Sequence, residues 1–243
     1  MPKIYLSLFF LSVFTACTMR QPKEADTPAK ITIKKLLEKQ VLLTNHAMFS
    51  KDRELNGACA FLIYYKDSVY AVTAKHLIGP DGGVKPAITP MQLWADLQSW
   101  KMFPRQPVHP ATDTVTVNAA HLDYSDMTPA SDALLLSTVG FHGGIEPLTP
   151  NFAIPAEGDS LVLLGCPYSE QGCRQNSYNM IFRKLDRALM VCQIFSNVEL
   201  QGFSGAPIIN SRGEVVAILY GSGEVDGEYY VYATPIRDIK KVR

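Results

Sequence analysis

Short apolar segments separated by turn-forming residues recur along the chain from residue 59 onward. Residues 59–65 are apolar and aromatic, Lys66-Asp67-Ser68 is typical of a turn, and residues 69–74 are apolar again. This pattern predicts a β-hairpin. The same reasoning predicts further strands at 112–118, 133–138, 161–165 and 185–196, and later hairpins that turn at 211–213 and 223–227. Repeated short strands of this kind favour a β-sandwich or a β-barrel.

Four segments depart from the clear strand pattern. Apolar residues at spacings of three and four over 31–43 predict a short helix. Glycine and proline at 79–83 predict that 77–89 is a loop, whereas 91–103 fits a strand or a helix. Further glycines and prolines at 140–159 mark a boundary between two halves. We therefore expect a first region at 31–140 and a second at 141–243.

The first 16 residues have the character of a targeting segment. Lys3 precedes an apolar run at 4–14 that is too short to span a bilayer and is typical of a secretory signal. Phe14-Thr15-Ala16-Cys17 is similar to a bacterial lipobox, which predicts a lipid anchor at Cys17; a plain signal peptide is the alternative. Thr18, in place of an aspartate after the cysteine, then favours anchoring in the outer membrane. The sequence does not indicate on which face of that membrane the protein lies.

Residues 17–30 are rich in charge and proline and predict a flexible tether between that membrane and the folded region. The whole chain of 243 residues has 23 Lys and Arg against 23 Asp and Glu. Such a balance provides no broad positive field, so we expect no nucleic-acid partner.

Besides Cys17, the sequence has four cysteines: Cys59, Cys166, Cys173 and Cys192. An exported compartment permits disulfides, and four cysteines allow three connectivities. A local bridge between Cys166 and Cys173 is one hypothesis, and four free, buried thiols are the other. The sequence contains no Cys-x-x-Cys pair or histidine cluster of the kind that holds a metal. We expect neither a metal nor a cofactor.

The segment Gly202-Phe203-Ser204-Gly205-Ala206-Pro207 carries the clearest chemical signal. Glycines around a serine permit a tight turn that exposes the hydroxyl and directs backbone N–H groups at one point. His76 follows an apolar segment that ends in Thr73-Ala74, and Asp132 precedes the aliphatic run 133–136. Three motifs in the order His, Asp, Ser are far more specific together than any one alone.

In these motifs the chain resembles the trypsin-like serine peptidases, over roughly 56–243. The resemblance implies an all-β fold of two six-stranded antiparallel β-barrels with the active site in the cleft between them. It also implies catalytic roles for His76, Asp132 and Ser204, and an oxyanion hole formed by the N–H groups of Gly202 and Ser204. The α/β-hydrolases have another chain order, and Ala206 breaks their Gly-x-Ser-x-Gly turn.

Rival residues exist for two of these roles. Asp123 and Asp126 could replace Asp132, but they lie in a segment rich in turn formers. None of the other histidines follows an apolar strand that ends in Thr-Ala; they are His46, His109, His121 and His142.

The chain also departs from the family's pattern. Phe203 stands where digestive trypsins have the acid that pairs with a new N-terminus, so we expect no activation of that kind. Leu219 stands where many members have a serine that supports the aspartate. The chain ends soon after the second predicted barrel, which predicts a member without a PDZ domain.

Substrate specificity is less determined by the sequence. The resemblance implies that Leu219, Tyr220 and Gly221 form one wall of the primary pocket and that Val198 forms its floor. An apolar floor favours a small or medium apolar residue over lysine or arginine, although Glu199 and Glu224 lie near enough to alter this.

The predicted function is an exported, membrane-tethered serine endopeptidase that hydrolyses peptides or proteins through an acyl-enzyme. The alternative is a catalytically inactive binding or scaffold lipoprotein with the protease fold. An esterase of another fold is disfavoured by the motif order.

Overall fold

The computed structural model describes residues 28–89, 92–105, 114–118, 124–126, 131–141, 144–170 and 172–241. Helix α1 (Pro28–Glu38) is followed by a barrel of short antiparallel strands and then by a second barrel. The strands of the first barrel are β1 Leu43–Phe49, β2 Arg53–Tyr65, β3 Ser68–Thr73, β4 Leu97–Phe103, β5 Val115–Val117, β6 Tyr124–Asp126 and β7 Leu134–Phe141.

The first barrel closes because β7 pairs with β3. Its order is β3-β2-β1-β4-β5-β7, with β6 beside β7. Strand β5 pairs with the later residues of β7, and β6 pairs with the residues of β7 that β5 leaves free. The short strands β5 and β6 therefore occupy one strand position in the sheet, and the barrel is six-stranded.

The second barrel closes in the order β10-β13-β12-β11-β8-β9. Its strands are β8 Ser160–Gly165, β9 Asn176–Asp186, β10 Leu189–Ile194, β11 Pro207–Ile209, β12 Val215–Val225 and β13 Glu228–Pro235. The expected architecture of two six-stranded antiparallel barrels is confirmed.

A shared apolar cluster joins the two barrels. Phe61 and Leu135 from the first barrel pack in one buried group with Leu164, Ile209 and Ile218 from the second. Each barrel also has its own core, around Trp100 in the first and around Met190 in the second. Burial of this apolar surface stabilises the docked arrangement and fixes the relative position of loops from different barrels.

The predicted hairpin at 59–74 is confirmed in β2 and β3. The ambiguous segment 91–103 contains both structures, because helix α2 (Leu93–Asp96) leads directly into β4. The stretch at 185–196 is divided by a turn at Arg187, whose φ of 57° reverses the chain between β9 and β10. Neither β1 nor most of β9 was expected from the sequence pattern.

The helix expected at 31–43 has different ends in the structure. It begins at Pro28, inside the segment expected as a tether, and ends at Glu38. Proline suits the first turn of a helix because its missing N–H has no partner there. After the helix, Oε1 of Gln175 accepts hydrogen bonds from the backbone N–H groups of Val41 and Leu42, just before the start of β1.

Several sequence-based predictions lie outside the described residues. They concern the signal at 1–16, the lipid anchor at Cys17 and most of the tether, together with His109, His121, His142 and Asp123. Among the residues that are described, no helix combines the length and apolar character needed to cross a membrane.

Candidate active site

His76 and Asp132 meet where two paired strands end. Thr73 in β3 pairs with Leu134 in β7, so the residues just after β3 lie beside those just before β7. His76 belongs to a single 3₁₀ turn at Lys75–Ile78. Its Nδ1 lies 2.6 Å from Oδ2 of Asp132, and its backbone N–H donates to Oδ1 at 2.7 Å.

This two-point contact sets the state of the imidazole. A carboxylate only accepts hydrogen bonds, so Nδ1 of His76 carries the proton and Nε2 is the free basic nitrogen of the neutral ring. The side chains of His76 and Asp132 are 18% and 13% exposed, which keeps the pair partly shielded from water. Leu219 is buried and offers Asp132 no hydroxyl; the backbone of His76 provides the second hydrogen bond instead.

Ser204 lies in a turn anchored to both barrels. Its carbonyl accepts the N–H of Cys59 in β2 at 2.9 Å, and the N–H of Gly205 donates to Leu219 in β12 at 3.0 Å. A Cβ on Gly205 would lie 2.2 Å from the carbonyl oxygen of Cys59 and 2.8 Å from Oγ1 of Thr73. Since Thr73 ends the strand that leads to His76, the serine turn packs directly against that strand end.

The same turn leaves two N–H groups unused. Phe203, Gly205 and Ala206 donate to backbone carbonyls, whereas within the described part of the chain Gly202 and Ser204 have no acceptor for theirs. Gly202 has a φ of +90°, a conformation that favours glycine. Two unpaired donors beside a partly buried serine can bind an oxygen that gains negative charge.

No hydrogen bond joins the hydroxyl of Ser204 to His76 in the described structure. In structures without substrate, such catalytic contacts are often long and tighten only when substrate binds.

Tyr220 covers His76 because of a β-bulge. Leu219 pairs with Ala233 and Gly221 pairs with Tyr232, so Tyr220 is the extra residue. Its ring meets the imidazole edge to face, with centroids 5.9 Å apart and an interplanar angle of 86°.

The residues expected to form the primary pocket separate in the structure. Val198 lines a cavity of about 180 Å³ whose apolar lining includes Ile194 and Leu200, with Glu224 also at its wall. Leu219 is buried in the core of the second barrel, and Gly221 faces open space. Tyr220 lines a different cavity, of about 410 Å³, together with Asp132 and the β9–β10 turn.

Phe203 anchors the serine turn from below. Its side chain is fully buried and packs edge to face on Tyr178, with centroids 5.6 Å apart. A Cβ on Gly165 would lie 2.0 Å from this ring, so only glycine fits beneath it. The position holds an apolar anchor where an acid would be needed to pair with an N-terminal ammonium.

Of the four described cysteines, Cys166 and Cys173 form a disulfide. Cys59 and Cys192 are free and buried. Burial raises the pKa of both free thiols to about 12. Among the described residues, no group of three or more His, Cys, Asp or Glu side chains is placed to hold a metal ion.

Sequence reasoning missed the polar groups that support the site. Asn45 is completely buried and donates to the carbonyl of Cys59 and to Thr73, while its own oxygen accepts the indole N–H of Trp100. A lone asparagine in a strand that was not predicted gave no signal. Tyr168, which contacts Gly202, lies within the loop between Cys166 and Cys173, and only that loop was noted.

The fold is similar to that of solved bacterial proteases. The active form of the Rv3671c protease from M. tuberculosis has a TM-score of 0.55 and 16% identity, covering 98% of this chain and 92% of that one. An inactive form of Rv3671c has a TM-score of 0.55 and 15% identity, covering 89% and 94%. The serine endoprotease from Yersinia pestis has a TM-score of 0.56 and 19% identity, covering 90% and 66%. At these identities the likeness concerns the fold alone.

No curated protein matches the sequence significantly. The model of the trypsin-like peptidase domain matches residues 57–218, which is more than half of the chain. The fold of that family supports a serine peptidase that would act on peptides or proteins. The chain belongs to the trypsin-like peptidase domain family.

Proposed function

We propose that this protein is a serine endopeptidase in which Ser204, His76 and Asp132 act together. The observation that carries the proposal is the two-point contact between His76 and Asp132 beside the glycine-flanked turn of Ser204. The pair orients a basic Nε2, and a serine becomes a useful nucleophile when such a base takes its proton.

In the first step the hydroxyl oxygen of Ser204 bonds to the carbonyl carbon of the substrate, and its proton passes to Nε2 of His76. The carbonyl oxygen becomes an oxyanion that accepts the N–H groups of Gly202 and Ser204. The carbon–nitrogen bond then breaks as His76 returns the proton to the leaving amine. Water, deprotonated by His76, cleaves the resulting ester and restores the serine. Asp132 stays ionised and stabilises the imidazolium in both halves.

The unpaired donors in the turn support this assignment. Donors that are already oriented cost no reorganisation when charge develops, and each contributes about 3 kcal/mol in a measured case. The N–H groups of Gly202 and Ser204 remain free while their neighbours are bonded within the described turn.

We propose an apolar residue on the acyl side of the cleaved bond. The cavity beside Val198 is small and mostly apolar, which suits a small or medium aliphatic side chain. Glu224 on its wall is the competing feature. Cleavage of a peptide library would define the preference, and Val198→Phe should shift it towards glycine and alanine by filling the cavity. An unchanged profile in that variant would reject this pocket.

We also propose that the protein is exported and tethered by a lipid at Cys17. The disulfide between Cys166 and Cys173 supports an oxidising compartment. Cells grown with an alkyne-bearing fatty acid should label the full chain and not Cys17→Ala, and the variant should leave the membrane fraction. Equal membrane association of both proteins would reject the anchor.

The decisive experiment is active-site labelling with a fluorophosphonate. We expect wild-type protein to be labelled and Ser204→Ala to be unlabelled, with kcat/KM lower by about 10⁶-fold in the variant. Ser211→Ala is the matched control, because Ser211 lies in an exposed turn between β11 and β12. A folded wild-type protein that is unlabelled from pH 6 to 9 would reject the peptidase and favour a binding role.

A further inference from the structure

We propose that Tyr168 is a positioning residue that holds Gly202 in the conformation needed to stabilise the oxyanion. The inference rests on the proposed function. Tyr168 belongs to the second barrel's loop between Cys166 and Cys173, yet it contacts backbone groups of both barrels.

The hydroxyl of Tyr168 makes the first of these contacts. It accepts the backbone N–H of Ala58 at 2.7 Å. Ala58 is the extra residue of a bulge, because Thr44 pairs with Cys59 and Asn45 pairs with Gly57. Ala58 has a φ of +54° and Gly57 a φ of +114°. An N–H that the bulge removes from the β1–β2 ladder is thus satisfied from across the cleft.

The ring of Tyr168 makes the second contact, against Gly202. A Cβ on Gly202 would lie between 2.6 and 2.8 Å from three ring carbons, so the ring presses on the bare Cα. The thiol of Cys59 donates to the carbonyl of Gly202 at 3.3 Å. Gly202 is therefore held at its Cα by Tyr168 and at its carbonyl by Cys59, while its N–H stays free.

Tyr168 is itself firmly placed by Arg105, which follows β4 of the first barrel. The guanidinium donates to the carbonyls of Cys166 at 3.1 Å, Pro167 at 2.6 Å and Tyr168 at 3.1 Å. It also lies over the tyrosine ring, 5.5 Å from the centroid. Tyr168 remains 44% exposed, so polar contacts and the disulfide, rather than burial, hold it in place.

This arrangement matters because glycine has unusual backbone freedom. A glycine with φ near +90° that lost its neighbours would sample other conformations and turn its N–H away from the reacting oxygen. Removing one oxyanion donor lowers kcat by about 10²–10³-fold in a measured protease. Partial loss of orientation should have a smaller effect of the same kind, on kcat rather than on KM.

The test compares Tyr168→Ala and Tyr168→Phe with wild-type protein and with Tyr64→Ala. Tyr64 is a matched control, since it is an exposed tyrosine at the far end of β2. We expect Tyr168→Ala to lower kcat by about 10–100-fold with KM within about twofold. Affinity for a peptide aldehyde, whose adduct with Ser204 places an oxygen in the oxyanion position, should fall by a similar factor. Tyr168→Phe keeps the ring and should retain kcat within about threefold.

A second variant covers the case in which Tyr168→Ala does not fold. Arg105→Gln leaves Tyr168 intact but removes the guanidinium that holds its loop, and it should lower kcat by about threefold to tenfold at constant KM. Wild-type kcat and aldehyde affinity in Tyr168→Ala or, if that variant does not fold, in Arg105→Gln would overturn this inference and leave the proposed function intact. An inactive, unlabelled wild-type protein would instead reject the proposed function and this inference with it.

Discussion

Both carboxylate oxygens of Asp132 contact His76. Oδ2 lies 2.6 Å from Nδ1 of the imidazole, and Oδ1 accepts a hydrogen bond from the backbone N–H of His76 at 2.7 Å. One contact sets the ring's protonation and the other sets the carboxylate's orientation. The carboxylate can therefore act without a serine at position 219, where the chain has a buried leucine.

Asp132→Asn tests this relationship with little change in shape. An amide can donate to Nδ1, which would move the proton to Nε2 and remove the base, so we expect kcat to fall by about 10⁴-fold. Steady-state kinetics on a peptide substrate would measure the loss. Asp186→Asn is the matched control, because Asp186 lines the same cavity as Asp132. Equal activity in the two variants would contradict the assignment.

Tyr220 should restrain His76 through its edge-to-face contact. Such aromatic pairs contribute about 0.5–1.5 kcal/mol, so Tyr220→Ala should lower kcat/KM by about threefold to tenfold, and Tyr220→Phe should be close to wild type. The measurement is kcat/KM on one peptide at constant pH. A loss as large in the phenylalanine variant would show that the hydroxyl, and not the ring, is responsible.

Alanine substitutions at Gly205 and Gly227 would distinguish the cost of backbone strain from the cost of a steric clash. Both have positive φ, +85° and +80°, but only Gly205 has atoms where a Cβ would go. Gly227→Ala should lower the free energy of unfolding by about 1–2 kcal/mol from backbone conformation alone. Gly205→Ala should lower it by at least about 3 kcal/mol, since the methyl would meet the carbonyl of Cys59. Urea unfolding of both variants would measure the difference. An equal loss of unfolding free energy in the two would mean that the turn containing Ser204 moves to accommodate the methyl group.

The buried thiols of Cys59 and Cys192 should make stability fall at alkaline pH. Their pKa is raised from 9.0 to about 12 in the folded chain. Below pH 9 the thiols are protonated in both states and contribute no pH dependence. Between pH 9 and 12 only the unfolded chain releases these protons, so each thiol lowers the free energy of unfolding by about 1.4 kcal/mol per pH unit.

Unfolding in urea at pH 8, 9 and 10 would measure this effect. Cys192→Ala removes one titrating group and should flatten the decline above pH 9 by that amount relative to wild type. Parallel curves for the two proteins would contradict the raised pKa of Cys192.

Local pattern was enough for the strands with strong signals. The hairpin at β2–β3 has a continuous apolar run on both sides of Lys66-Asp67, and such a run has few alternatives. Strand β9 has only two buried residues, Met180 and Phe182, and carries several polar side chains, so its apolar period is weak. The helix boundary failed because Leu42 and Leu43 continue the apolar spacing of α1, although they pack into barrel cores instead.

By itself, the sequence determined which residues could carry chemistry, because a serine between glycines and an ordered set of three motifs are properties of the chain. It could not determine which side chains meet. Tyr168 reaches Ala58 because two barrels dock and a bulge displaces that residue, and it reaches Gly202 because two loops of the second barrel pack together. Val198 and Leu219 separate because one faces a cavity and the other faces the core of the second barrel. Contacts between distant segments follow from strand register and barrel closure, and those arise from the packing of the whole molecule.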